Sequence, residues 1–175
     1  TVYDVSEKES AVEKAAAVDL SALSEDVNAD GATVLSNDVT TITSAGSYIL
    51  TGAYAGITVS VGNGETVHLF LNDATISGGT GIVISNTNNK SPLITTACEN
   101  TGNEVASKGD DVNAIHVKGT LKINGTGTIK VSAKKNGIKV SKGLSIADST
   151  INLTAGNHAL SARFIETENA KINVL

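Results

Sequence analysis

A chain of 175 residues is long enough for one domain with a substantial core, but its composition excludes the usual ways of building one. With one Pro, one Cys, no Met, no Trp and five aromatic residues, neither a disulfide framework nor an aromatic-centred sandwich is supplied. A net charge of −5 argues against general nucleic-acid binding, and no apolar run reaches the length of a membrane-spanning helix.

Residues 1–32 read as a cap and a connection. The stretch SEKESAVEKAAAVDLSAL combines Ala, Glu and Lys behind Ser6, a good N-cap, and predicts a helix over Ser6 to Ala17. Val12, Ala16, Leu20 and Leu23 would form its apolar stripe, suited to covering one open end of a stacked fold. The chain opens on Thr1 without Met, as a processed product would.

From Thr33 onward the code is all-β. Ile57 and Val59, Val67 and Leu69, and Ala74 and Ile76 are in-x-in pairs, and the next set opens one repeat later at Ile82 and Ile84. The following interval, Ile82 to Ile115, is longer and predicts insertions in Asn86–Pro92 and Glu99–Asp111, the most polar loops of the chain. Then one pattern is written three times, from Asn113, Asn136 and Asn157, at nearly even spacing. The copies align Ile115, Ile138 and Ala159; Val117, Val140 and Ser161; Leu121, Leu144 and Ile165; Ile123, Ile146 and Thr167; Ile129, Ile151 and Ile172; and Val131, Leu153 and Val174. Three short strands per repeat, with a period a little above twenty, describe one turn of a parallel β-solenoid over residues 33–175. The third copy stops at Leu175 with nothing polar over it, so the natural chain is expected to continue there, or this end to pair with another molecule end to end.

Stacking brings distant residues into columns about 4.8 Å apart. One corner collects Lys118, Lys142 and Arg163, and the adjoining strand turns His116 and Lys139 outward. Between Val112 and Ala147 there are seven lysines and no acidic residue. A solvated face explains any one of these lysines, but a column of cations is unfavourable unless an anion is expected, and a linear polyanion with carboxylates at sugar spacing fits it. A second column, Asn113, Asn136 and Asn157, reads first as an asparagine ladder satisfying backbone groups at a corner. Its alternative role is oxygen ligation of calcium, with carboxylates from Asp110 and Asp111 and, further off, Glu99 and Glu104. Catalytic motifs are missing: no Ser-His-Asp order, HExxH or P-loop is present. His68 alternates outward in VHLFL and reads as a surface residue, and His158 as a corner filler. Tyr54 and Tyr3 are the rings expected to be exposed, too few for a stacking platform on crystalline cellulose.

The segments SAGSYILTGAYAGITV, ETVHLFLNDATIS, CENT, DDVNAIHVKGTLKINGTGTIKV and NGIKVSKGLSI resemble secreted carbohydrate-binding β-helix proteins of cellulose-degrading clostridia, over roughly residues 33–163. The resemblance implies a right-handed parallel β-helix similar in architecture to pectate lyases. It also implies an extracellular or cell-surface location, bound calcium, and binding of plant cell-wall polysaccharide, both cellulose and acidic pectic polymers such as polygalacturonate. Calcium ligation carries over onto Asp110, Asp111 and Asn113, while the acidic polymer is expected along the strip read from the repeat columns, His116, Lys118, Lys139, Lys142 and Arg163. The expected function is therefore non-catalytic and calcium-assisted polysaccharide binding. The alternative is a calcium-dependent pectate lyase or a degenerate relative of one, which would need a base and a charge-neutralising cation beside the substrate.

Overall fold

The computed structural model describes residues 32–62, 64–79, 82–84, 92–97 and 102–175, and these form a parallel β-solenoid of about five turns. The helix expected over Ser6 to Ala17 lies outside the described residues. Among the described residues seventeen strands, β1 to β17 in chain order, are arranged on three faces. The first face is a six-stranded sheet of β2 (Thr41–Ile42), β4 (Ile57–Val59), β6 (Ile82–Ile84), β9 (Ile115–Val117), β12 (Ile138–Val140) and β15 (Leu160–Ser161). The second face carries β7 (Pro92–Ala97), β10 (Thr120–Asn124), β13 (Gly143–Ala147) and β16 (Phe164–Glu168), and the third β8 (Asn103–Ser107), β11 (Thr128–Ala133), β14 (Thr150–Ala155) and β17 (Lys171–Val174). In the earlier rungs a single long strand runs through both of these faces, first β3 (Gly46–Tyr54) and then β5 (Val67–Gly78); β1 (Thr33–Val34) pairs with β3. The first half of β5 pairs with β7 and its second half with β8.

Side chains that alternate inward stack on themselves. Leu121, Leu144 and Ile165 are in register, as are Ile123, Ile146 and Thr167, and Ile129, Ile151 and Ile172, as the sequence repeat predicts. Leu121, Ile123 and Ile146 are fully buried, so a Leu121→Ala change would leave a cavity costing about 2–5 kcal/mol. Parallel pairing suits such β-branched stacks, because every inward position meets its own kind one rung away.

The corner between the second and third faces is turned by a column in the left-handed region: Gly52, Asp73, Gly125, Asp148 and Asn169, with φ between 49° and 91°. Asp and Asn tolerate that region better than other side chains, which explains why they share this column with Gly. At the next corner Gly156 is required by space, since a Cβ there would lie 2.1 Å from the Lys134 carbonyl oxygen.

Two expectations about register are corrected. In β15 the partner of Ile138 is Leu160 and that of Lys139 is Ser161, so the third copy is shifted by one position from the alignment that put Ala159 beside Ile138 and Ser161 beside Val140. The reason is packing: Leu160 offers the larger apolar side chain to the column of Ile115 and Ile138. The extra length of the long interval falls at the corners that Asn86–Pro92 and Glu99–Asp111 span, but the second of these stretches is not all loop. The separation between partners is greatest for Ile82 with Ile115. It shrinks in steps through Pro92 with Thr120 and Asn103 with Ile129 to Ile115 with Ile138, so each of three corners contributes. Within Glu99–Asp111, β8 is a ladder strand with Val105 fully buried.

The last rung, like the first with Val34 66% exposed, is thinly covered. Ile165 and Ile172 are half-buried, and Val174 and Leu175 are 64% and 81% exposed.

Candidate functional site

Period-two alternation on the first face buries Ile115, Val117, Ile138 and Val140 and turns His116 and Lys139 outward, directly beside each other in register. Ser161 continues that column on the next rung. The corner that follows keeps the same offset on both of its sides, which places Gly119 level with Lys142 and Lys118 level with Ser141. Lys142 is level with Arg163, whose amide donates to the Lys142 carbonyl oxygen at 2.9 Å. The corner column is thus Lys142 and Arg163, with Lys118 one position off it and close to His116 along the chain.

The electrostatics agree with this grouping. His116 is half-buried, and its imidazole is held below the usual histidine range by burial first, then by the Lys139 and Lys118 ammonium groups. Lys118 and Arg163 are exposed, Lys139 and Lys142 half-buried. None of these four cations has a carboxylate within ion-pair distance among the described residues. Three lysines elsewhere on the same rungs are different: Lys130 pairs with Glu104 at 3.7 Å, Lys134 with Asp110 at 2.5 Å and Lys135 with Asp111 at 2.6 Å, whereas Lys122 on the second face has no such pair among the described residues. The unneutralised cations of the strip are therefore gathered on one face and one corner.

The residues expected to hold calcium are placed differently. Asp110 and Asp111 are exposed, and each carboxylate faces a lysine ammonium; the Lys134 hydrogen bond and charge hold the Asp110 carboxyl below its usual range. Asn113 is buried, and its Oδ1 accepts from Asn136 Nδ2 at 2.8 Å. Calcium takes six to eight oxygens, several of them carboxylate, whereas these donors are already committed and two sit against positive charge. Among the described residues no group of three His, Cys, Asp or Glu side chains converges. The donor set does not fit the ion.

The asparagine column is instead a ladder, with one substitution. Asn136 Oδ1 accepts the His158 amide at 3.3 Å and lies 3.1 Å from His158 Nδ1, so the third place belongs to His158 and not to Asn157. The same shift that moves Leu160 moves this rung. Because Asn136 presents its oxygen to the backbone N–H, Nδ1 of His158 carries the proton in this contact.

Two aromatic expectations also change. Tyr54 is buried, its hydroxyl donating to the Leu35 carbonyl oxygen at 2.8 Å and accepting from the Thr51 amide, so it offers no stacking surface. His68 does alternate outward, yet it is 3% exposed and stacks on Phe70 with ring centroids 3.9 Å apart. Ile49 and Phe70 form a small buried cluster on the outside of β3 and β5, with Ala32 packed against it. Burial lowers the His68 pKa to about 4. The signal for this second apolar layer is present in the sequence: Ile49 and Phe70 fall at outward positions of their strands.

Comparison with known proteins adds one finding. The family model described as carbohydrate-binding domain-containing protein matches residues 36–174, which is nearly the whole solenoid. No curated protein and no solved structure shows significant similarity to the chain.

Proposed function

The chain belongs to the carbohydrate-binding domain-containing family, and on that premise we propose that it is a non-catalytic module holding acidic polysaccharide along its basic strip. One observation carries the acidic part of this reading. Lys118, Lys139, Lys142 and Arg163 lack carboxylate partners among the described residues, while Lys130, Lys134 and Lys135 each have one. A polymer with a carboxylate on each sugar, laid across the rungs, would meet a cation at successive levels. Polygalacturonate of plant cell walls is the natural candidate, and an extracellular or cell-surface location goes with it.

Neutral cellulose finds little ring surface to stack on among the described residues, because Tyr54 and Phe70 are buried. The reading needs no calcium bridge, since the cations can meet the carboxylates directly. Affinity electrophoresis of the intact chain in gels containing polygalacturonate, with and without chelator, tests both points. Retardation that persists in chelator and weakens with added salt is expected. Retardation that vanishes in chelator would replace direct pairing by metal bridging, and no retardation in either gel would remove the acidic polymer as the ligand.

A further inference from the structure

We infer that His116 makes this strip a proton-coupled binding site: the imidazole takes up a proton from solvent when a carboxylate of the polymer settles beside it, so the strip grips polyuronate more tightly as the medium is acidified. The inference rests on the acidic-polysaccharide reading above and assigns it a regulator.

The geometry supplies every part of the coupling. His116 is on the outward side of β9, flanked one rung on by Lys139 in direct register and, along its own chain, by Lys118. On the preceding rung its register partner is Val83, and two rungs on the column ends in Ser161; neither residue is titratable. No carboxylate is within ion-pair distance of His116, Lys118 or Lys139 among the described residues. An imidazole that is half-buried and beside two ammonium groups has its pKa lowered, by burial first and then by those neighbours. A bound carboxylate reverses the second cause, because it neutralises the lysines and offers the protonated ring a partner. By linkage, a group whose pKa rises on binding must take up protons and must favour the complex at lower pH. No bond of the polymer is broken, and the proton comes from the buffer.

This also separates His116 from the lysines around it. His116 adds a charge whose presence depends on the medium, imidazole being the side chain that ordinarily titrates near neutrality.

Titration calorimetry of the full chain with oligogalacturonate decides the matter, run between pH about 5.5 and 7.5 in buffers of differing ionisation enthalpy. The oligomer's carboxylates, with ordinary values near 4, stay ionised throughout that range. The wild-type protein is expected to bind roughly three- to tenfold tighter at the acid end, with a fractional proton taken up per site. In His116→Gln the uptake and the pH dependence should disappear together. Oligogalacturonate that binds with equal affinity at all pH values and no proton uptake overturns the coupling and leaves the acidic-polysaccharide reading intact. The coupling is equally overturned if His116→Gln retains the wild-type uptake. Absence of binding at every pH removes both.

Discussion

Two corners of this solenoid carry lysines on the same rungs, and their chemistry is opposite. At the corner entering the first face, Lys134 and Lys135 meet Asp110 and Asp111 from the rung before, and the charge is cancelled in place. Across the first face, from His116 and Lys139 to Lys142 and Arg163, stacking brings cations together with no acidic residue in ion-pair reach among the described residues. The repeat therefore does not dictate charge balance; the corner loop ahead of Asn113 does, by bringing Asp110 and Asp111 to one side of the stack. A lysine count could not distinguish the two regions, but the pairing register does.

The largest expected effect sets the limits within which this contrast can be measured. His68 is buried with its pKa lowered to about 4, against 6.5 in an unfolded chain. The folded state favours the neutral ring, so its contribution is complete above the unfolded value and is lost as pH falls from about 6.5 toward 4. The loss amounts to roughly 3 kcal/mol at most. Urea unfolding at a series of pH values should show this slope, and His68→Leu should flatten it. If the slope survives in that variant, His68 is not its source.

The next effect breaks the contrast directly. Replacing Lys118, Lys139 and Lys142 together by Gln should weaken polygalacturonate binding by about thirtyfold, near 2 kcal/mol for three exposed or half-exposed pairs. Replacing Lys130, Lys134 and Lys135 in the same way should change it by less than about threefold. Equal losses in the two triple variants would mean that bulk charge binds the polymer, without regard to place.

Asn136→Ala tests whether the amide ladder belongs to the fold or to the ligand. It leaves the buried Asn113 oxygen without its donor and should cost about 1–3 kcal/mol of stability, read as a lowered melting temperature. Polymer affinity of the folded fraction should not move. A selective loss of affinity would assign the ladder to the site.

The smallest effect runs the other way. Asp110→Asn combined with Asp111→Asn frees Lys134 and Lys135 and should strengthen polygalacturonate binding by less than about threefold, with no measurable change in melting temperature. Weaker binding in that variant, with wild-type affinity restored by added calcium, would return these carboxylates to a metal site.

The architecture is legible because each rung spells itself with inward pairs, and Leu121, Leu144 and Ile165 align from the repeat alone. The shift at Leu160 is harder to see, because the third copy loses one position within a single corner, between Ile138 with its partner Leu160 and Gly143 with its partner Phe164. A stricter rule, that the bulkiest apolar residue takes the core position, selects Leu160 over Ala159. Tyr54 is an inward position, level with Ile76 in the main core, and His68 escapes the pattern for another reason. Alternation reports which side of a strand a residue faces, not whether something else covers that side, and Ile49 and Phe70 make a second buried layer outside the first. The cations of the strip are readable as residues; their lack of partners is not, because it depends on where the loop carrying Asp110 and Asp111 comes to rest.

Among the described residues each interior strand pairs with strands one turn before and one turn after it, and no pairing skips a level. Laying down each new level on the first face therefore closes a loop of comparable length, the shortest from Ile42 to Val59 and the longest from Ile84 to Val117, less than a doubling. Doubling a loop adds only about 0.6 kcal/mol of closure entropy, so every step of growth faces nearly the same barrier. The first two levels must form without a template, and those that follow have one. Folding of this chain is thus expected to follow the kinetics of a crystal row, with one slow nucleus and then addition at the growing edge.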